Sequence, residues 1–180
     1  MKYVGVDQSL THTGVCIIST NAAPQFVTVE PKDLRDAPRL IFLRDTIAEL
    51  VTDTDLLAME GYAYDKPLQA HQLGEIGGIL RVLFYEMRIP IVVVSPVQLK
   101  KFATGNIRAD KDAMQAEAEK QLGHTLRDDH QADAYFLAKI ALNLATPKLQ
   151  TRHELEVIHS LKNPVKKVTK KVRKIVPQAM

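Results

Sequence analysis

The sequence predicts an α/β fold in which a mixed sheet, an antiparallel meander followed by parallel strands, is flanked by helices. Three observations support this prediction. Short apolar runs rich in β-branched residues come first, and the short links between them fit an antiparallel meander. Longer segments with helical spacing then alternate with further apolar runs, as in sheets covered by helices. The 180 residues, with 46% hydrophobic and 25% charged side chains, are enough to bury one core.

The predicted strands are short apolar runs that follow one another closely at the start of the chain and are spaced more widely later. The first run ends in an aspartate and the fourth ends in a glutamate. The fifth run, Ile-Val-Val-Val, is entirely apolar. The strands are predicted over residues 2–7, 14–19, 26–30, 55–60 and 91–94.

The predicted helices carry apolar residues at helical spacing or begin with typical capping residues. In the first helix Leu40, Leu43 and Ile47 fall on one face. Ser95 and Pro96 suit the N-cap and the first position of another helix, which is followed by a basic loop at residues 105–109. The first helix is predicted over residues 38–51, and the other helices are predicted over residues 67–88, 110–122 and 128–145.

Charge is distributed unevenly along the chain. Residues 157–180 contain seven basic residues and no acid, whereas the preceding 156 residues contain 17 basic and 21 acidic residues. We therefore expect a folded domain over residues 1–146 and a basic tail over residues 147–180. The tail suggests an anionic partner such as nucleic acid, and a solvated segment that only aids solubility is the alternative.

The cysteine content and the apolar runs exclude several classes of protein. The single cysteine, Cys16, cannot form an internal disulfide, which favours a cytoplasmic protein. The N-terminus lacks the basic head and apolar run of a signal peptide. No stretch approaches the roughly 20 apolar residues that cross a bilayer, so no membrane partner is expected.

Acidic residues occur where a catalytic site is expected. Asp7 and Glu60 each end a predicted strand, and sites in α/β sheets assemble at strand ends. A third group opens the last helix, where Asp133 lies one turn from both Asp129 and His130. Carboxylates brought together suit two divalent ions, which stabilise the attacking and leaving oxygens of phosphodiester hydrolysis. The structural alternative is that Asp7 caps a turn and that Asp128 or Asp129 is the N-cap of a helix.

Three stretches of the chain carry a resemblance to a known family. The first is Gly-Val-Asp-Gln-Ser-Leu-Thr-His-Thr-Gly over residues 5–14, and the last is His-Gln-Ala-Asp-Ala over residues 130–134. Between them, residues 96–115 contain a Pro-x-Gln-x-Lys segment, a Thr-Gly loop and a Lys-x-x-x-Gln helix start. In this order and spacing they resemble the RuvC-type Holliday-junction resolvases. The resemblance covers residues 2–145 and suggests a phage-encoded member, which would act in the host cytoplasm.

The resemblance implies an RNase H-like fold and an endonuclease that makes paired nicks in four-way junctions or other branched DNA. It implies Mg²⁺ as cofactor, with Mn²⁺ as a substitute, and a homodimer. We expect the helix over residues 74–85 to supply the dimer contact through the small residues at 74, 77 and 78 and through Ile79, Leu80 and Leu83. The alternative is that this face is buried on the sheet. The implied catalytic residues and metal ligands are Asp7, Glu60, His130 and Asp133, with Asp129 as the alternative to His130.

The resemblance also places DNA contacts at Lys100 and Lys111. The sequence itself supports a larger set of DNA-binding residues, because four cationic side chains cluster around one loop, as expected for side chains that contact DNA phosphates. Two tyrosines that follow Glu60 could stack on an unpaired base, and ordinary packing is their alternative role. The predicted DNA-binding residues are Lys100, Lys101, Arg108, Lys111, Tyr62 and Tyr64.

Two other functions share the same core fold. One is a nucleotide-binding or phosphotransfer protein of the actin-like ATPase class, whose first motif residues 7–14 loosely fit. The chain is too short for the two lobes of those proteins and lacks a second glycine-rich phosphate loop. The other is a catalytically inert DNA-binding protein, which nothing favours because all four metal positions hold competent ligands.

Overall fold

The computed structural model describes residues 1–61, 67–147 and 151–164, and for residues 67–72 it describes the backbone only. The five strands and the first five helices follow the predicted order, with bounds that differ by a few residues, and a sixth helix follows them. The strands are β1 (Lys2–Asp7), β2 (Thr13–Ser19), β3 (Gln25–Val29), β4 (Leu56–Glu60) and β5 (Ile91–Val94). The helices in the described residues are α1 (Asp36–Leu50), α2 (Pro67–Glu86), α3 (Pro96–Thr104), α4 (Lys111–Leu122), α5 (Asp129–Ala145) and α6 (Arg152–Lys162).

The strands form one five-stranded mixed sheet in the order β3-β2-β1-β4-β5. The first three strands are antiparallel neighbours, joined by short links. β4 runs parallel to β1, and β5 runs parallel to β4. Each parallel connection contains a helix, α1 or α2, as parallel pairing requires. The predicted fold class is confirmed.

One face of the sheet is covered by α5, whose backbone lies unusually close to β1 and β2. A side chain at Gly5 would overlap the carbonyl of Ala134, and a side chain at Gly14 would overlap the carbonyl of His130. Glycine at these two positions therefore allows the helix to contact the strands directly. This contact places the first turn of α5 over the end of β1.

The other face of the sheet is covered by α1 and α2. Leu43 and Ile47 of α1 pack with Ile76, Leu80 and other buried residues of α2 and the strands. Leu80 was expected to contribute to a dimer contact, and its complete burial within the protomer shows that it does not. Among the described helices, none combines the length and apolar character that crossing a membrane needs.

The last helix, α6, lies within the segment predicted to be a basic tail. Val157 and Ile158 on its inner face are buried in the same cluster as Phe102 of α3. A capping box at Thr151 and Glu154 defines its N-terminus. These residues therefore pack onto the rest of the chain, although the division of the chain at residue 146 stays a prediction.

Candidate active site

The ends of two parallel strands and the start of one helix meet at a single cavity. Asp7 ends β1 and Glu60 ends its parallel neighbour β4, so both carboxylates lie at the same edge of the sheet. The first turns of α5 bring His130 and Asp133 to this edge. The cavity has a volume of about 320 Å³. Its lining includes Asp7, Gln8, Glu60, Lys100, Lys111, Asp129, His130 and Asp133.

The position at which α5 begins is fixed by Asp128, whose two carboxylate oxygens both accept hydrogen bonds. Asp128 is the N-cap, and its side chain accepts a hydrogen bond from the backbone N–H of Gln131 at 2.9 Å. Its second oxygen accepts a hydrogen bond from the hydroxyl of Thr28 on β3 at 3.0 Å. Asp128 therefore anchors the helix, and Asp129, His130 and Asp133 after it line the cavity.

Asp7 and His130 are joined by a short hydrogen bond between β1 and α5. The His130 Nδ1 atom lies 2.6 Å from the Asp7 carboxylate. That hydrogen bond raises the pKa of His130, with some opposition from burial. Burial raises the pKa of Asp7, because the loss of solvent outweighs the stabilising contact with His130. The imidazole and the carboxylate therefore support each other's charged forms in a site that disfavours charge.

Glu60 and Asp133 hold their protons more tightly than ordinary carboxylic acids do. Burial, followed by the charges of Asp7 and Asp133, raises the pKa of Glu60 to about 9. Burial, followed by the charges of Asp7 and Asp129, raises the pKa of Asp133 to about 7. These shifts mean that the cavity lacks enough positive charge for all its acids. A bound cation would supply that charge.

Asp129 and His130 are consecutive residues, yet they have different partners. Asp129 forms an ion pair with Lys111, which comes from the start of α4. Although burial acts in the other direction, this contact lowers the pKa of Asp129 below its ordinary value. The same contact raises the pKa of Lys111. Asp129 is thus already paired with a cation, whereas His130 contacts the buried acid of β1.

The donor set fits a divalent cation in its chemistry, although its side chains are not arranged around a preformed ion position. The buried Asp7, the partly buried Glu60 and Asp133 and one imidazole line the cavity, and hard ions such as Mg²⁺ bind carboxylate oxygens. The Oε1 atom of Gln8 is a further oxygen of a residue that lines this site, and it is buried with no hydrogen-bond partner in the described part of the chain. Within the described residues, no three acidic, histidine or cysteine side chains stand grouped as a metal site. The Asp7–His130 hydrogen bond would have to be exchanged for metal contacts.

The four predicted DNA-binding cations do not share one environment. Lys100 and Lys111 line the cavity. Lys101 lies on another side of α3, where its Nζ is 2.8 Å from a carboxylate oxygen of Glu156 on α6. Arg108 is exposed in the loop before α4. Tyr62 and Tyr64 lie outside the described residues.

Two residues of the site were not predicted from the sequence. Gln8 lines the cavity, and its Nε2 donates a hydrogen bond to the backbone carbonyl of Glu60 at 3.2 Å. The ring of His12 stacks on that of His130, with centroids 6.0 Å apart and planes at 3°. The position of Gln8 next to Asp7 was an available signal, because a residue that follows a strand-end acid enters the same edge of the sheet.

Comparison with known proteins identifies the relatives of this chain. The family model for the crossover junction endodeoxyribonuclease RuvC matches residues 3–142. RuvC of Caldicellulosiruptor saccharolyticus is 26% identical over 149 residues, which cover 77% of this chain and 90% of that protein. RuvC of Nocardia farcinica is 29% identical over 133 residues, which cover 68% and 70% of the two chains. The structure of Thermus thermophilus RuvC is similar in fold, with a TM-score of 0.64 at 22% identity and coverage of 77% and 91%. Another structure of that protein, in complex with a Holliday junction substrate, has a TM-score of 0.65 at 22% identity, with coverage of 77% and 90%.

Proposed function

The chain belongs to the RuvC family of crossover junction endodeoxyribonucleases, and we propose that it resolves four-way DNA junctions by paired, cation-dependent nicks. One observation carries the proposal. Strands β1 and β4 and helix α5 deliver Asp7, Glu60, His130 and Asp133 to one cavity with an excess of negative charge. An inert DNA-binding protein would not need buried acids at this cost, so the alternative functions are not favoured.

We assign the cation ligands to Asp7, Glu60, His130 and Asp133. Divalent cations held there would stabilise the negative charge that develops on the attacking and leaving oxygens. Mg²⁺ suits the carboxylates, and the imidazole of His130 makes Mn²⁺ a good substitute. Asp129 is the weaker candidate for a ligand, because its carboxylate is paired with Lys111.

The side chains of the protein itself would bind the DNA backbone beside the acids. Lys100 lines the cavity and forms no ion pair within the described residues, so its ammonium group can contact a phosphate. Lys111 and Asp129 form an ion pair at the cavity. A DNA phosphate could replace Asp129 as the partner of Lys111. Lys101 would first have to leave Glu156, so we expect a smaller contribution from it. Arg108 extends the positive surface along the exposed loop.

A homodimer is part of the proposal, and its contact on α2 keeps Gly78 of the predicted segment but not the predicted leucines. Leu80 and Leu83 are buried within the protomer and cannot form the contact. The outward face carries Gly78, with open space where a side chain would lie, and the exposed residues Val82 and Tyr85. These residues follow helical spacing on one side of α2. Two copies of this face could approach closely and place two active sites on one junction.

A cleavage assay on synthetic DNA tests the proposed function. A four-way junction and a linear duplex of the same sequences would be incubated with the protein in Mg²⁺ or in EDTA. We expect nicks in two opposite strands of the junction in Mg²⁺ and none in EDTA. The surface variant Asp33→Asn serves as a control, since Asp33 is exposed and does not line the cavity. Equal cleavage of the linear duplex, or cleavage in EDTA, would contradict the proposal. A cytoplasmic location and a phage origin stay predictions.

A further inference from the structure

We infer that Gln8 is an additional oxygen donor of the cation site, where it adds a neutral carbonyl group to the acids of β1 and β4. This inference rests on the proposed function, because it assumes that a divalent cation binds among these acids. It concerns the side chain that directly follows Asp7 and lines the same cavity. Gln8 is only 5% exposed, although glutamine is usually found at the protein surface.

The orientation of the Gln8 amide group follows from its one hydrogen bond. Its Nε2 donates to the backbone carbonyl oxygen of Glu60 at 3.2 Å. The reverse orientation would place two acceptor oxygens against each other, so the nitrogen must face Glu60. The Oε1 atom therefore points elsewhere. It is buried and has no hydrogen-bond partner among the described residues.

A buried carbonyl oxygen without a hydrogen-bond partner destabilises the folded protein. The presence of such an oxygen at position 8 therefore suggests that it binds a ligand. The hydrogen bond from Nε2 ties the end of β1 to the end of β4, but it does not use the oxygen. Asp7 and Glu60 are the neighbouring oxygen donors, and hard divalent cations bind carboxylate and amide oxygens together or through their waters. Gln8 Oε1 thus has the chemistry of a cation-site oxygen and belongs to a side chain that lines the cavity of these acids.

The charge of the site explains why an amide suits this position better than a third strand-end acid. Glu60 already holds its proton more tightly because of burial and of the charges of Asp7 and Asp133. Another carboxylate would increase that repulsion, whereas an amide oxygen can contact a cation and adds no net charge. An amide at position 8 therefore provides an oxygen donor for a cation and adds no electrostatic repulsion in the cation-free protein.

The test compares Gln8→Met with the wild type and with Gln131→Met. Methionine has a similar length and no carbonyl group. Gln131 is a matched buried glutamine whose oxygen and nitrogen both have partners, Arg127 and Thr28. Mg²⁺ binding to the DNA-free protein would be measured by titration calorimetry, and the thermal midpoint would be measured in EDTA. For Gln8→Met we expect Mg²⁺ affinity to fall roughly tenfold and the midpoint in EDTA to stay unchanged or rise. For Gln131→Met we expect the midpoint to fall.

The opposite result would overturn the inference. If Gln8→Met lowers the midpoint as much as Gln131→Met does, and Mg²⁺ affinity stays within about twofold, Gln8 has a structural role only. Gln8→Glu provides a second variant, since it keeps the oxygen and loses the hydrogen bond to Glu60. It should bind Mg²⁺ at least as tightly as the wild type, and weaker binding would also contradict the inference.

The variant Asp7→Asn separates this inference from the proposed function. If Asp7→Asn loses Mg²⁺ binding and Gln8→Met keeps it, only the role of Gln8 is wrong. If the wild type and Asp7→Asn bind Mg²⁺ equally, the cation site itself is wrong, and both proposals fail.

Discussion

Replacing Glu60 by glutamine is expected to stabilise the metal-free protein at alkaline pH, although it removes a residue of the proposed active site. Burial, with the charges of Asp7 and Asp133, raises the pKa of Glu60 from 4.5 to about 9. Between these values the unfolded chain loses the proton from Glu60, whereas the folded protein keeps it. The unfolded state then binds fewer protons, so the free energy of unfolding falls as the pH rises from 4.5 towards 9.

The size of the effect follows from the interval between the assay pH and the ordinary pKa. At pH 8 this interval is about 3.5 pH units, and each unit corresponds to about 1.4 kcal/mol. The upper bound is therefore about 5 kcal/mol, and we expect about 2–3 kcal/mol because relaxation and water entry reduce the penalty of a buried charge. Glutamine has nearly the same shape and no charge. Glu60→Gln should recover this free energy at pH 8 and little of it at pH 5.

Urea unfolding in EDTA at pH 5 and at pH 8 measures this difference. Glu49→Gln is the control, because Glu49 is exposed on α1 and the substitution should change stability by less than about 0.5 kcal/mol. Adding Mg²⁺ should stabilise the wild type and reduce the advantage of Glu60→Gln, since a bound cation would neutralise the acids. An equal gain at both pH values, or a loss of stability at pH 8, would refute the reasoning.

Four further predictions concern catalysis, assembly and DNA affinity. Asp7→Asn should abolish junction cleavage and keep junction binding, and cleavage within about tenfold of the wild type in a gel assay would contradict its role. His130→Ala should lose far more activity than Asp129→Asn in the same assay, and the reverse order would identify Asp129 as the ligand. Gly78→Leu should fold normally, because its side chain meets open space, and should sediment as a monomer if α2 forms the dimer contact. Deleting residues 165–180 should reduce the slope of log affinity against log salt concentration by about 0.9 for each phosphate that these residues neutralise, and an unchanged slope would give them another role.

The meeting of Asp7 and Glu60 could be predicted from the sequence. Both end apolar strand-like runs, and the helix-length segment that precedes the second run favours a parallel arrangement. Parallel neighbours end at the same edge of a sheet, so their terminal residues must lie close together. The start of α5 was equally predictable, because Asp128 is a typical N-cap and sets where the helix begins.

The partners of adjacent residues could not be predicted in the same way. Helical spacing allowed either Asp129 or His130 to contact the strand-end acid, and the difference arises from Lys111, which is distant in sequence and forms an ion pair with Asp129. Lys100 and Lys101 differ for a similar reason. Consecutive residues of a helix project in directions about 100° apart, so one lysine lines the cavity and the other contacts α6.

The packing of α6 was missed because its apolar signal is small. The helix buries Val157 and Ile158, and basic residues that follow it dominate the composition of the segment. Its contacts with α3 depend on tertiary neighbours: Gln98 donates a hydrogen bond to the hydroxyl of Ser160 at 3.0 Å. A prediction from composition treats α6 and the basic residues after it as one segment, and it therefore predicts that both belong to a tail.

The close packing of α5 on the sheet explains why the acids remain together in the absence of a cation. Gly5 and Gly14 allow the helix backbone to contact β1 and β2, so Asp133 cannot move away from Asp7 without opening the core. At a protein surface, mutually repelling carboxylates could rotate outward into solvent. Here burial prevents that relief, and the raised pKa values of Glu60 and Asp133 are the consequence. Core packing thus holds the acids together for a cation, which would replace the protons that Glu60 and Asp133 retain more tightly in the free protein.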